Sequence, residues 1–408
     1  MWKLILICLL LYPMLPILVP DQMQPIINLT FSALGSIYIV IKRKKIKITL
    51  PDIIIMIFLL NITVSSFLFS DFINGLTTLS RFLPLFILFY LARSCDCYEN
   101  KSLIRTLVIG GVLLSIYSLR SFFVLSDRLL YYLSQYNIDY PFATEFLMTK
   151  RAFSPFITPN LLAGYLVMII FLSCGLFFKN KTKTIKILLF TGIMVCLLTL
   201  FYTKSVGGWI TLLVSSGFFF IITKKINKKS ISIISLIVLL ILGIIAVRSK
   251  NTLDITKPYF SIQQRISYWS DTAEYIKLHP LLGVGLENFS SHESLYTHNS
   301  FLQIWAEMGL SGIITWLAIC IAFIGMNFRI TRLSKNNIYT AAIFCAGLSF
   351  IIHNVIDFSF YVPQVSFIWW ILLGLIGRSF RNIGIDNHES STYDGSSQGN
   401  KKRCTNTV

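Results

Sequence analysis

The sequence predicts an all-α, polytopic integral membrane protein with about 12 transmembrane helices. Three observations carry this. Of the 408 residues, 55% are hydrophobic and only 13% are charged, against about 25% charged in a typical soluble domain. The mean hydropathy is +0.70. Apolar runs of roughly the length needed to cross a bilayer recur along the whole chain. The formal net charge of +18 does not point to nucleic acid. The basic residues sit in short clusters between apolar runs, with no basic face carrying interleaved aromatics, so they read as topology signals.

Taken in order, the spans fall at 4–19, 24–41, 52–70, 82–93 (a short one, with room to start near 75), 104–124, 159–178, 187–203, 207–223, 231–247, 309–328, 338–356 and 363–378. The first run, Leu4 to Val19, has no small-x-small cleavage site and reads as an uncleaved span. With both termini inside, 25 of the 36 Lys and Arg residues lie on the inner side and 11 on the other, which is the orientation the positive-inside rule selects. Two outer loops are then large, 125–158 and 248–308. The membrane domain covers 1–380, and the polar segment 381–408 reads as a disordered cytoplasmic tail. No cysteine falls in an outer loop, so no disulfide framework is implied. No internal repeat is evident, which weakens a transporter built from inverted repeats.

The polar residues that could carry chemistry cluster on the outer side. Arg265 opens a helical pattern continued by Ile266, Trp269, Ala273 and Ile276 and closed by His279-Pro280. Gly283-Val284-Gly285 makes a turn. Then THNSFLQIWAEMGLSG places Asn299 or Ser300 as the cap of a helix that runs through Glu307 and enters the bilayer near Gly309. Gly309 and Gly312 have the small-residue spacing of close helix packing. His298, just before a helix N-terminus, is in a field that disfavours imidazolium, so the neutral ring can serve as general base. Arg265 offers a permanent fork for phosphate. Against this stands a plainer reading: His298 as an interfacial polar residue and Arg265 as a lipid-headgroup anchor. Arg151, before the Pro-rich turn that opens span six, and Lys204, at the almost loopless link of spans seven and eight, are further cationic candidates or simple loop charges. His353 and Asp357 stand four apart on one helix face. A mutual contact suits them better than a metal site, since no third ligand is near. His279 and His292 are loop histidines without a motif.

These residues resemble a known group. Arg265 with Trp269, then HPLLGVGLENF, then HNSFLQIWAEMGLSG is similar to the signature of the O-antigen ligase and O-antigen polymerase superfamily. The ligase pattern is His, then Asn, Ser or Gln, nine residues, Gly, two residues, and a second small residue. Here it falls on His298, Asn299, residues 300–308, Gly309 and Gly312. RAFSPFITPNLLAGYL and IIHNVIDFSFYVPQVSFIWWILLG resemble further elements of the group. The resemblance implies a GT-C-like fold and a metal-independent, cofactor-free, inverting glycosyltransferase. Its donor would be a glycan on undecaprenyl pyrophosphate at the outer (periplasmic) face of the bacterial inner membrane. The acceptor would be lipid A–core in a ligase, or a second lipid-linked glycan in a polymerase. By the same resemblance His298 would deprotonate the acceptor hydroxyl. Arg265 would hold the pyrophosphate, with Trp269, Asn299, Glu307, Gly309 and Gly312 in support.

The chain departs from the group at the link of spans seven and eight. Ser-Arg-Gly is usual there, and this sequence has Ser205-Val206-Gly207. Lys204 or Arg151 would have to supply the missing charge. A different class, a transporter of lipid-linked sugars, would instead place its polar groups and broken helices at mid-membrane.

Overall fold

Proline, glycine and cap residues decide where the apolar runs become helices. A computed structural model describes residues 1–42, 48–136, 141–224, 227–249, 258–290, 294, 296–333 and 338–392. The basic residues at 43–47, 225 and 335, His292, and the tail beyond 392 lie outside the described residues. The helices are α1 (Trp2–Leu11), α2 (Leu15–Leu18), α3 (Gln24–Ile41), α4 (Leu50–Leu68), α5 (Phe72–Ser94), α6 (Cys97–Arg120), α7 (Ser126–Gln135), α8 (Pro141–Met148), α9 (Pro159–Lys179), α10 (Lys183–Thr203), α11 (Val206–Ile222), α12 (Lys228–Ser249), α13 (Pro258–Leu278), α14 (Ser300–Leu333), α15 (Ile338–His353) and α16 (Pro363–Thr392). No strand occurs among the described residues. Eight helices there are long and apolar enough to cross a membrane, and three shorter apolar helices accompany them. The protein is a multi-pass membrane protein.

A helix stands wherever a span is expected, with instructive differences. The first run is broken: Pro13 lies in a 3₁₀ turn, Tyr12–Met14, between α1 and α2. The short fourth span is in fact the 23-residue α5. Its first half carries Asn74, Thr77, Thr78, Ser80 and Arg81, which hide it from a hydropathy reading. Two of these have partners in a distant loop: the Thr78 hydroxyl donates to Glu287 at 3.0 Å and Arg81 pairs with the same carboxylate at 2.5 Å. The segment 125–158, expected as an outer loop, is largely helical, since a π-helical turn, Ser121–Leu125, joins α6 to α7, and α8 follows. The last helix continues to Thr392, beyond the boundary expected at 381.

α9 and α16 form the centre. Residues 161–172 of α9 are all buried, as are Trp369 and Trp370 of α16. A helix that is apolar all round belongs inside a bundle. α9 packs on α15 and α10, α16 packs on α5, and α14 packs on α4. Away from the candidate site, Arg93 at the end of α5 is buried against Asp52 of α4. Asp52 also closes a capping box with Thr49, which locks the start of α4.

Candidate functional site

The site is built where α13, α14 and the segment after α15 meet. α13 begins at Pro258, before the Arg265 start read from the sequence, and ends at Leu278 as His279-Pro280 requires. Its buried stripe is also shifted. Tyr268, Thr272 and Ile276 face inward, whereas Ile266 and Ala273 of the expected stripe are exposed. Arg265, half-buried, stands one turn before Tyr268 on the same face.

α14 is not one straight helix. Gly309 has φ 65° and ψ −163°, a region open essentially to glycine alone. The break leaves the Ala306 and Glu307 carbonyls and the Leu310 amide without helical partners. The loop after α13 takes all three. Val284 N donates to Ala306 O at 2.9 Å, Gly285 N to Glu307 O at 3.0 Å, and Leu310 N to Pro280 O at 2.9 Å. Gly283 and Gly285 both have positive φ. A Cβ on Gly283 would stand 2.3 Å from the Glu307 carbonyl, so glycine is required for that approach. The packing role read for Gly309 is thereby corrected: it makes a kink that docks the GVG turn. Gly312 faces Met308 of its own helix, where a Cβ would lie 2.4 Å from Met308 Cβ.

Asn299 is the cap. Its Oδ1 accepts from Phe301 N at 3.0 Å and Leu302 N at 3.2 Å, worth about 1 kcal/mol. Ser300 does other work, donating from Oγ to Asn354 Oδ1 at 2.6 Å and from its backbone amide to Asn354 O and Asp357 O. These bonds tie the start of α14 to the end of α15.

His298 has φ 52°, an uncommon conformation for a side chain with a Cβ. Its ring lies between Tyr268 (centroids 5.9 Å apart) and Phe358 (5.0 Å). Its Nδ1 is 3.7 Å from Asp357 Oδ1, the His side chain 24% exposed and the Asp fully buried. That is ion-pair range, longer than a hydrogen bond. The other carboxylate oxygen is 3.3 Å from His353 Nε2 and accepts from Ser359 Oγ at 3.0 Å. Burial by itself would raise the Asp357 carboxyl, but the contacts of His298 and His353 outweigh it and hold it well below the usual carboxylate range. Asp357 is therefore an ionised group facing His298 Nδ1. Burial lowers the Arg265 guanidinium, and the Asp357 charge works against that shift; the group stays cationic.

The contact expected between His353 and Asp357 is present, within a larger chain of contacts. His353 Nε2 donates to Asn160 O at 3.0 Å, and Thr211 Oγ1 lies 3.2 Å from Nδ1. Asn160 Oδ1 accepts from Ser205 Oγ at 2.8 Å, and Ser205 caps α11. Polar contacts thus run from His298 to the link between α10 and α11. Lys204 sits in that link at φ 51° and donates from Nζ to Thr149 O at 2.8 Å. Arg151 donates from Nε to Thr203 O at 3.0 Å and stacks on Phe146. The two cations brace one loop junction from opposite sides. Among the described residues no group of three or more His, Cys, Asp and Glu could hold a metal ion.

The structure thus brings His298, Trp269, Asn299 and Glu307 into one unit around the start of α14. The Asp357 charge also acts on Arg265. Sequence reasoning missed the Asp357–His298 approach, along with Tyr268, Phe358 and Asn354. No local spacing signals a pair that lies so far apart in the chain.

Residues 191–317 match the family model described as O-Antigen ligase, which supports the superfamily that the motif spacing resembles. The matched range contains Lys204, Arg265, His298 and Gly312 and stops before Asp357. An uncharacterized protein of Haemophilus influenzae is 25% identical over 225 residues, an alignment covering 47% of this chain and 54% of that relative.

Proposed function

We propose that this chain is a glycosyltransferase of the O-antigen ligase type. It moves a glycan from undecaprenyl pyrophosphate to lipid A–core at the periplasmic face of the inner membrane. In this reading twelve helices cross the membrane, both termini are cytoplasmic, and the α13–α14 connection is periplasmic. The observation that carries the chemistry is the buried Asp357 carboxylate aimed at His298 Nδ1 at 3.7 Å, beside a capped helix start and a cationic Arg265. A carboxylate at Nδ1 favours the tautomer with hydrogen on Nδ1 and leaves the Nε2 lone pair for a substrate, the logic of a carboxylate-oriented histidine base. Such contacts tighten when substrate closes the site.

The reaction then runs in one displacement. Nε2 of His298 takes the proton of the acceptor hydroxyl. The hydroxyl oxygen attacks the anomeric carbon opposite the phosphate, and the bond from that carbon to the phosphate oxygen breaks. Undecaprenyl pyrophosphate leaves with the electron pair, and Asp357 stabilises the imidazolium that forms. Arg265 meets the growing charge on the pyrophosphate, where a bidentate fork is worth most. Arg151 and Lys204 are the further candidates for pyrophosphate contact, in place of an arginine at Val206.

A transporter of lipid-linked sugars is disfavoured because the polar groups of this site gather around the capped start of α14. The lipopolysaccharide profile of a deletion strain tests the reading. A ligase leaves core without O-chain while lipid-linked polymer accumulates. One repeat unit remaining on core would make the chain a polymerase instead.

A further inference from the structure

The strained backbone at His298 needs something to hold it, and the residues on the inner side of α14 supply a fixed chain of hydrogen bonds. A left-handed non-glycine backbone is strained and persists only where its surroundings over-determine it. Here the restraint falls on Thr297, the residue before. Its carbonyl accepts from Trp269 Nε1 at 3.1 Å, and its amide donates to Gln303 Oε1 at 3.2 Å. Its hydroxyl donates to Asn299 O at 2.6 Å and accepts from Asn299 N at 3.0 Å. Thr297 has every polar group engaged and is fully buried.

Gln303 has a donor end and an acceptor end, and which one meets Thr297 decides whether the bond forms. Glu307, one turn further along α14, sets that choice. Gln303 Nε2 donates to Glu307 Oε1 at 3.0 Å, so Oε1 of Gln303 is turned to the Thr297 amide. Gln303 is 1% exposed and Glu307 0%, so neither end can exchange its partner for bulk water. Glu307 is itself fixed through its carbonyl, which accepts from Gly285 N and from Ser65 Oγ at 3.1 Å. The restraint therefore runs from α4 and the GVG turn, through Glu307 and Gln303, to the backbone beside His298.

We infer that Gln303 and Glu307 are positioning residues for His298, acting through the Thr297 amide and never touching substrate. The inference rests on the reading of His298 as the base. A misplacement of about 1 Å at a reacting group lowers rate by up to ~10² without weakening binding of a remote group, so the signature is a split between kcat and KM.

The test uses the full chain in detergent or nanodiscs with native glycan-loaded undecaprenyl pyrophosphate. Transfer kinetics are read together with hydrogen exchange of peptides spanning 296–300. Gln303→Met and Glu307→Leu should lower kcat about tenfold or more, keep donor KM within about twofold, and speed exchange at Thr297. Glu307→Gln, which retains shape and an acceptor oxygen, should keep most of kcat and the slow exchange. Wild-type kcat in Gln303→Met, or equal losses in Glu307→Gln and Glu307→Leu, would overturn the inference. Exchange separates this from the parent reading. If His298→Ala transfers normally, the base assignment and the inference fall together; if His298→Ala is inactive, unchanged kcat or unchanged exchange in Gln303→Met overturns the positioning chain alone.

Discussion

At the residue scale, buried Asp357 approaches His298, a contact that the sequence could not assign. Its spacing from His353 is visible as i, i+4, and that contact forms. Its approach to His298 depends on Ser300 bonding to Asn354 and Asp357 across two helices, which no periodicity encodes. By contrast the Asn299 cap was legible, because a cap residue before an apolar run is a local signal; the roles proposed for His298 and Arg265 come from the resemblance and not from spacing alone. Asp357→Asn keeps the shape of the side chain and removes the charge that, in the proposed mechanism, orients the imidazole. It should lower kcat by on the order of 10² or more, with donor KM little changed; an unaltered kcat would remove the pair from the mechanism. Arg265→Lys replaces a fork by a point charge. It should lower kcat/KM about tenfold or more at saturating acceptor, and wild-type values would leave Arg265 as a headgroup anchor.

At the scale of elements, the kink of α14 is the device that assembles the site. A hydropathy reading sees one apolar run from Phe301 onward and takes Gly309 for a packing residue. Whether a glycine packs or bends depends on its φ, and the Leu281 carbonyl that closes on it lies in a loop. Gly309→Ala would put a Cβ 2.1 Å from Leu281 O in a region where side chains do not go. The expected loss is about 3 kcal/mol or more, seen as a lower melting temperature in detergent and lost transfer. Gly325→Ala, where a Cβ meets nothing within 4 Å, is the control and should melt no lower than wild type. The start of α5 carries the complementary lesson: Thr78 and Arg81 made it look like loop, because their Glu287 partner is distant in sequence. At the α10–α11 link, Lys204→Ala tests whether this cation stands in for the arginine absent at Val206. The proposal expects weaker donor use, read as a raised donor KM, and full activity would leave Lys204 as a brace for Thr149.

For the whole molecule, composition alone made the class legible, since a chain this apolar has nowhere but a membrane to fold. The expected orientation of the spans rests on where Lys and Arg fall. An impermeant thiol reagent should label a cysteine placed at Asn288 from the periplasm, while reporters at both termini read as cytoplasmic; the reverse pattern would put the chemistry on the wrong side for the proposed donor. The acceptor is the least legible part, because the ligase and polymerase readings rest on the same motif. In the proposed mechanism, release of undecaprenyl pyrophosphate is common to the ligase and polymerase readings and reports most directly on glycosyl transfer. In membranes supplied with the native lipid-linked glycan, wild-type protein should release it and His298→Ala, inserted to the same level, should not. Equal release by the two would contradict the account.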